Sequence, residues 1–244
     1  MNILFIHLGN QCECLCSSNI IKLLSNKYKN TNITVIVKSK EAEHIYKYNN
    51  NVNKIFVINK VPSEIIKKEY DLLVNLHPDF SFDDYFIVNA KEKLGFHFSE
   101  YTKKYEEILY KNKKTNKNIF QIYFSLCNLV WKGEGYDFRY YPKTKNRHGV
   151  TGLLIANSNL KIYIIDKLNL NLSKIYNIPI RKNIFKKMDE INKCPNIITD
   201  DFFSLNCAMN LRKSVFFLET IPFNFSIELF GKGKVFKVPR EIVR

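Results

Sequence analysis

The chain alternates short apolar runs with amphipathic stretches from its first residue onward. Residues 2–8 form a nearly continuous apolar run, and residues 31–37 and 52–58 are β-branched runs of strand length. Between the first two runs, apolar residues recur at helical spacing. Such runs are typical of buried parallel strands, and a helix between two of them predicts a right-handed βαβ unit.

A polar segment follows the first predicted strand, at residues 9–18. In folds built from βαβ units, ligands bind beyond the carboxyl ends of the strands. We therefore expect this segment to be a loop that contributes catalytic or ligand-binding residues.

The same alternation continues through the first half of the chain. It predicts a short helix at 62–70, a strand at 71–77, a helix at 81–90, a strand at 92–98 and a long helix at 118–131. The Lys/Glu-rich segment 103–117 has the composition of a solvated excursion.

A glycine- and proline-containing basic stretch at 132–152 predicts a domain boundary. Beyond it the pattern is again that of an α/β domain. We expect strands from 152 and at 196–199, 214–218 and 234–238, with helices at 182–192 and 202–211. The predicted domains are 1–140 and 141–244.

Composition limits the class of protein. The chain has 244 residues, 45% of them hydrophobic, which is enough for buried cores and excludes global disorder. No apolar run approaches the roughly 18 residues of a membrane span, and the N-terminus lacks the features of a secretory signal. The sequence therefore predicts a cytoplasmic protein.

The net charge of +15 favours anionic partners. Three explanations stay open: a compositional bias toward Lys, Asn and Ile, attraction to an anionic membrane or acceptor, and nucleic-acid binding. No nucleic-acid motif is recognisable, so we expect no nucleic-acid partner.

Three of the six cysteines form a C-x-C-x-C run at Cys12, Cys14 and Cys16. With His7 they could complete a tetrahedral zinc site, but the usual C-x-x-C spacing is absent. Small, packed side chains are the favoured interpretation, and no metal or cofactor is expected.

Two regions carry a resemblance to a known family. The first is the turn His7-Leu8-Gly9 with Cys12-Glu13 after it, and the second runs from residue 197 through 222 and includes Asp200-Asp201. In order and spacing, these segments resemble the ADP-heptose:lipopolysaccharide heptosyltransferases of glycosyltransferase family 9. The family has Gly-Asp where this chain has Cys12-Glu13.

The resemblance implies a GT-B-like α/β fold with two Rossmann-like domains facing across a cleft, the first for the acceptor and the second for the nucleotide sugar. Between residues 165 and 182 the family has a helix, a strand and another helix. This chain has about twenty residues there, too few for all three at ordinary lengths. The second domain is therefore expected to be reduced.

The resemblance also assigns the reacting groups of the first domain. Glu13 occupies the position of the catalytic Asp, which acts as general base without a metal. The alternative is an acid in a solvated loop. Gly9, Asn10 and Ser17 are assigned to the same loop as phosphate or acceptor contacts.

For the donor, the resemblance assigns Lys161, Asp201 and Asn206, with Asp200 as an alternative to Asp201. Asn206 stands where the family has His, and an amide can donate a hydrogen bond but cannot carry charge. The alternatives are a solvent-facing lysine and a helix that serves only to pack the second domain.

The predicted function is the inverting, metal-independent transfer of a heptose-like sugar from a nucleotide sugar to lipopolysaccharide or another cell-surface glycan. An ADP-sugar is favoured as donor, with an anionic glycan or glycolipid as acceptor and peripheral contact with the inner membrane surface. The alternative is a diverged, non-catalytic protein that binds a glycan or a partner. A third interpretation, a basic nucleic-acid-binding protein, rests on charge alone.

Overall fold

The computed structural model describes residues 1–57, 63–78, 88–110, 113–138, 140–181, 183–220, 223, 227, 229, 233–239 and 242. The helix predicted at 81–90 falls largely outside these residues. Among the described residues, no helix is both long and apolar enough to cross a membrane. The chain divides into two compact units, whose main parts are Met1–Arg139 and Tyr140–Phe223.

The first unit is built on a parallel five-stranded sheet with the strand order β3-β2-β1-β4-β5. Its strands are β1 (Asn2–His7), β2 (Asn32–Val37), β3 (Val52–Val57), β4 (Tyr70–Asn75) and β5 (Ala90–Gly95). Its helices are α1 (Gln11–Lys27), α2 (Lys40–Lys47), α3 (Ser63–Ile66), α4 (Thr102–Tyr110) and α5 (Ile119–Leu126).

The central strand β1 explains the apolar run that opens the sequence. Residues Ile3 through Ile6 have no exposed surface, because β1 pairs with β2 on one side and β4 on the other and is covered on both faces. The strand order reverses between β1 and β4. This is the topological switch point, where ligands bind in doubly wound sheets.

Two expectations for the first unit are wrong. Segment 103–117 contains most of helix α4, in which Tyr105 and Ile108 are buried three residues apart while Lys103 and Lys104 are exposed. Helix α5 ends at Leu126 rather than near 131, because Asn128 adopts a left-handed backbone conformation with φ of 52°.

The second unit holds a second parallel sheet with the order β10-β9-β8-β6-β7. Its elements are β6 (Thr151–Leu154), α6 (Ser158–Lys167), β7 (Ile175–Asn177), α7 (Ile184–Asn192), β8 (Asn196–Thr199), α8 (Phe202–Asn210), β9 (Ser214–Glu219) and β10 (Gly233–Lys237). Between α6 and α7 there is one 3₁₀ turn and the three-residue strand β7. The predicted α/β fold with two Rossmann-like units, the second reduced, is confirmed.

Candidate functional site

The turn between β1 and α1 is much shorter than the loop predicted at 9–18. Helix α1 already begins at Gln11, and Asn10 is its N-cap. The Asn10 side chain accepts hydrogen bonds from the Cys12 and Glu13 N–H groups, and Glu13 Oε2 accepts one from the Asn10 N–H at 2.7 Å. This reciprocal pair is a capping box, which satisfies N–H groups that would otherwise lack partners.

Glu13 is therefore a half-buried carboxylate fixed in the first turn of α1, at the carboxyl end of the central strand. From the sequence, Glu13 was expected to be a general base or an acid in a solvated loop. Its role in capping helix α1 was not predicted. The signal was present in the spacing, since Asn followed three residues later by Glu is a capping-box pattern. The N-terminus of α1 also favours a negative charge at this place.

Gly9 leaves a small space beside this carboxylate. A Cβ atom at Gly9 would lie 2.6 Å from Glu13 Oε2 and 2.9 Å from His7 Nε2. Both distances are shorter than real contacts of a Cβ atom. The lack of a side chain at Gly9 therefore allows the Glu13 carboxylate and the His7 imidazole to approach the same point.

His7 is completely buried behind this turn. Its Nδ1 lies 2.8 Å from Ser17 Oγ and 3.1 Å from the Tyr46 hydroxyl, whereas Nε2 has no hydrogen-bond partner among the described residues. Burial, with a smaller contribution from His77, lowers the pKa of His7 to about 3. The imidazole is therefore neutral at physiological pH, and Ser17 faces the protein interior.

The cysteine run lies on α1 rather than in a turn. The Cys14 thiol is directed at the His7 and Gly9 carbonyl oxygens, at 3.9 and 3.6 Å, and burial raises the pKa of that thiol. Among the described residues, no three His, Cys, Asp or Glu side chains are placed to share a metal ion.

A second polar cluster lies at the carboxyl end of β8. Asp201 is the N-cap of α8, and its Oδ2 accepts hydrogen bonds from the Ser204 N–H and hydroxyl groups. Lys187 reaches this carboxylate from α7, with Nζ 2.9 Å from Asp201 Oδ2 and 2.9 Å from Ser204 Oγ. The Lys187 side chain is only 5% exposed, so the ion pair is largely shielded from solvent on that side.

The two neighbouring carboxyl groups have opposite electrostatic surroundings. Burial acts to raise the pKa of Asp201, but the Lys187 ammonium and the Ser204 hydrogen bonds outweigh it and hold the pKa below its usual value. Burial and the charge of Asp201 raise the pKa of Asp200. Asp201 is thus the more firmly ionised of the pair.

These groups border a cavity of about 360 Å³ beyond the carboxyl ends of β6, β7 and β8. Ligands of Rossmann-like units bind at this edge of the sheet. The cavity combines charged and apolar side chains. Its lining residues are Leu154, Ala156, Ile180, Arg181, Lys187, Asp200, Asp201 and Phe203.

A larger cavity of about 520 Å³ lies at the opposite edge of the same sheet. It is lined by the first residues of several strands and by apolar side chains such as Leu168, Leu170 and Phe216. The smaller cavity is the better candidate site, because it lies at the carboxyl ends of the strands and is bordered by the Lys187–Asp201 ion pair.

Of the three predicted donor contacts, Asp201 lines the smaller cavity. Lys161 lies in α6, is partly exposed and does not border this cavity. Asn206 is fully buried, and its side-chain amide donates to the Phe202 carbonyl oxygen at 2.6 Å.

Sequence reasoning missed Lys187 and Arg181. For Lys187 a signal existed, because it occupies a position on the apolar face of α7 between Ile184, Met188 and Ile191. A lysine on the buried face of a helix indicates a paired charge.

No protein-family model matches this sequence, and no curated protein matches it either. Solved structures of other proteins, however, match the structure of this chain. A glycosyltransferase family 9 protein from Veillonella parvula is 11% identical with a TM-score of 0.66, and 97% of this chain aligns with 86% of that one. The ADP-heptose lipopolysaccharide heptosyltransferase II of E. coli is 12% identical with a TM-score of 0.66, covering 98% of this chain and 91% of its own.

The E. coli heptosyltransferase WaaC with ADP-2-deoxy-2-fluoro heptose is 8% identical with a TM-score of 0.61, covering 98% of this chain and 94% of its own. The resemblance to family 9 heptosyltransferases is thus confirmed in the fold, across both units.

Proposed function

We propose that this chain is a glycosyltransferase that moves a heptose-like sugar from a nucleotide-sugar donor to a cell-surface glycan acceptor. The observation that carries the proposal is the likeness to heptosyltransferase structures over nearly the whole chain, one of them with an ADP-sugar analogue. Because a fold alone does not fix an activity, the proposal also draws on the two polar sites at the carboxyl ends of the sheets.

The proposed reaction is an inverting displacement without a metal. Glu13 takes the proton of an acceptor hydroxyl while that oxygen attacks the anomeric carbon of the donor. The bond from the anomeric carbon to the diphosphate oxygen breaks, and the nucleoside diphosphate leaves with both electrons. Such a reaction needs a positioned base and positive charge near the leaving group.

The surroundings of Glu13 support its role as the base. The capping box fixes the carboxylate at the switch point of the first sheet. His7 approaches the same space as a neutral imidazole, so it adds no positive charge beside Glu13.

The second unit is proposed to bind the donor, with Asp201 in the cavity at the carboxyl ends of its strands. ADP-sugars are the favoured donors. One of the similar E. coli enzymes is named for ADP-heptose, and WaaC is seen with ADP-2-deoxy-2-fluoro heptose and with ADP. Contacts from Lys161 and Asn206, the lipopolysaccharide-type acceptor, the cytoplasmic location and the contact with the inner membrane surface stay predictions.

The test is the variant Glu13→Gln. Glutamine also accepts a hydrogen bond at the third helical position, so the capping box and the stability should be retained. We expect transfer to fall roughly 10²- to 10⁴-fold, the usual contribution of a general base, with donor binding unchanged. Release of nucleoside diphosphate from ADP-, GDP-, UDP- and dTDP-sugars with a glycolipid acceptor measures transfer.

Glu41→Gln is the matched control, because Glu41 also lies in the first turn of a helix that follows a strand of this sheet. If Glu13→Gln transfers the sugar at the wild-type rate, Glu13 is not the general base. A folded wild-type chain that binds none of the nucleotide sugars would refute the enzyme and favour a non-catalytic binding protein.

A further inference from the structure

Lys187 is a charged residue on the otherwise apolar buried face of helix α7. The other residues on the buried face of this helix are Ile184, Met188 and Ile191, and Lys187 lies among them. Burying an ammonium group costs free energy unless a counter-charge and hydrogen bonds compensate. Its position therefore calls for an explanation beyond the packing of the second unit.

The contacts of Lys187 account for part of its hydrogen-bonding capacity. An ammonium has three N–H donors, and two acceptors lie within reach, Asp201 Oδ2 and Ser204 Oγ, each at 2.9 Å. The centre of the Phe203 ring lies 4.8 Å from Nζ. Among the described residues, no acceptor takes the third N–H, and Lys187 borders the 360 Å³ cavity.

The charge balance of that cavity depends on this lysine. Its charged lining residues are the cations Arg181 and Lys187 and the carboxyl groups of Asp200 and Asp201. Without Lys187, two carboxyl groups would face the ligand against a single exposed arginine. Such a lining would repel a diphosphate, because like charges in a partly dehydrated site are unfavourable.

We infer that Lys187 acts beside Arg181 as a cation of the donor cavity, neutralising Asp201 and donating its third N–H to an oxygen of the donor's diphosphate. The inference rests on the proposed function.

The experiment is calorimetric titration of Lys187→Met with ADP and with adenosine. Methionine has a similar volume but no charge. We expect ADP affinity to fall by about tenfold or more, the effect of losing a charged hydrogen bond, and adenosine affinity to stay within about twofold. Lys186→Met removes the same charge from an exposed position of the same helix, so it should leave both affinities unchanged.

Lys187→Gln gives an independent test if Lys187→Met does not fold. Glutamine can still hydrogen-bond to Asp201 and Ser204, but it carries no charge. We therefore expect the affinity for ADP to fall by about tenfold in Lys187→Gln as well, with adenosine affinity kept within about twofold. An unchanged ADP affinity in folded Lys187→Gln would overturn the inference.

Failure of the inference and failure of the proposed function give different results. If folded Lys187→Met binds ADP as well as the wild type, the role of Lys187 is refuted and the donor site survives. If the wild type binds no nucleoside diphosphate, the proposed function itself fails, and the inference fails with it.

Discussion

At the scale of single residues, the two buried basic side chains Lys187 and His7 have chemically different partners. Lys187 meets a carboxylate, so it forms an ion pair at the edge of a cavity. Among the described residues, the hydrogen-bond partners of His7 are the hydroxyl groups of Ser17 and Tyr46, and burial keeps its imidazole neutral. The two side chains thus differ in the partner within reach, a carboxylate for Lys187 and hydroxyl groups for His7.

The neutral state of His7 predicts an acid-sensitive first unit. Its pKa is about 3 in the folded protein and near 6.5 in an unfolded chain. Below pH 6.5 the unfolded state binds the proton first, so stability is complete above that pH and falls as the pH drops toward 3. The loss approaches about 1.4 kcal/mol per pH unit in this window.

Urea unfolding at pH 7 and pH 5 measures this effect. Trp131, the single tryptophan, stacks on Phe120 within the first unit and reports on that unit. In His7→Asn, the change in the free energy of unfolding between the two pH values should be about 2 kcal/mol smaller than in the wild type. His148→Asn alters an exposed histidine and serves as control; an equal pH dependence in His7→Asn would contradict the prediction.

At the scale of elements, asparagine side chains begin several helices. They cap α1, α5, α6 and α7 through Asn10, Asn118, Asn157 and Asn183. The abundance of asparagine, interpreted from the sequence as part of a compositional bias, thus has a structural use.

Replacing the cap of α1 should lower the stability of the first unit. We expect Asn10→Ala to reduce its free energy of unfolding by about 1 kcal/mol, because the Cys12 and Glu13 N–H groups lose their acceptor. Asn10→Asp retains an acceptor and should remain close to the wild type. Trp131 fluorescence in urea checks both variants. Equal stability of Asn10→Ala and the wild type would show that the capping box of α1 contributes little to the free energy of unfolding.

The elements that the sequence predicted best are those fixed by burial alone. The strands β1 and β2 are largely apolar or β-branched runs, and a run covered on both faces has few alternatives. Helix α4 was missed because its many charges outweighed the spacing of Tyr105 and Ile108 in the interpretation.

The candidate site was less predictable because it depends on contacts distant in sequence. The strand pattern predicted a site after β1, and the resemblance pointed to Asp201 after β8, which borders the cavity of the second unit. The pairing of Lys187 with Asp201, however, joins two helices across the sheet edge. Periodicity within α7 marks Lys187 as unusual without naming its partner.

At the scale of the whole molecule, the net charge of +15 affects how binding must be measured. A basic protein attracts any anion, and this attraction between exposed charges weakens with salt. Specific donor binding should persist near 0.15 M ionic strength, where the Debye length is about 8 Å, because the Lys187 side chain is largely shielded from solvent.

The two units also have separate cores, one around Leu4, Ile36 and Leu73 and the other around Leu153, Ile198 and Leu218. Because the proposed donor cavity lies within the second unit, ADP should stabilise that unit alone. At a hundredfold excess over its Kd, ADP should raise the free energy of unfolding there by about 2.7 kcal/mol.

Native-state hydrogen exchange resolves the two units in one experiment. With ADP, amides of α7 and α8 should exchange more slowly, since a ligand that binds only the folded state reduces opening. Amides of α1 and β1, and the Trp131 unfolding transition in urea, should not change. If protection instead rises equally in both units, they unfold as one cooperative body, and ligand binding in the second unit would then stabilise the turn that holds Glu13 as well.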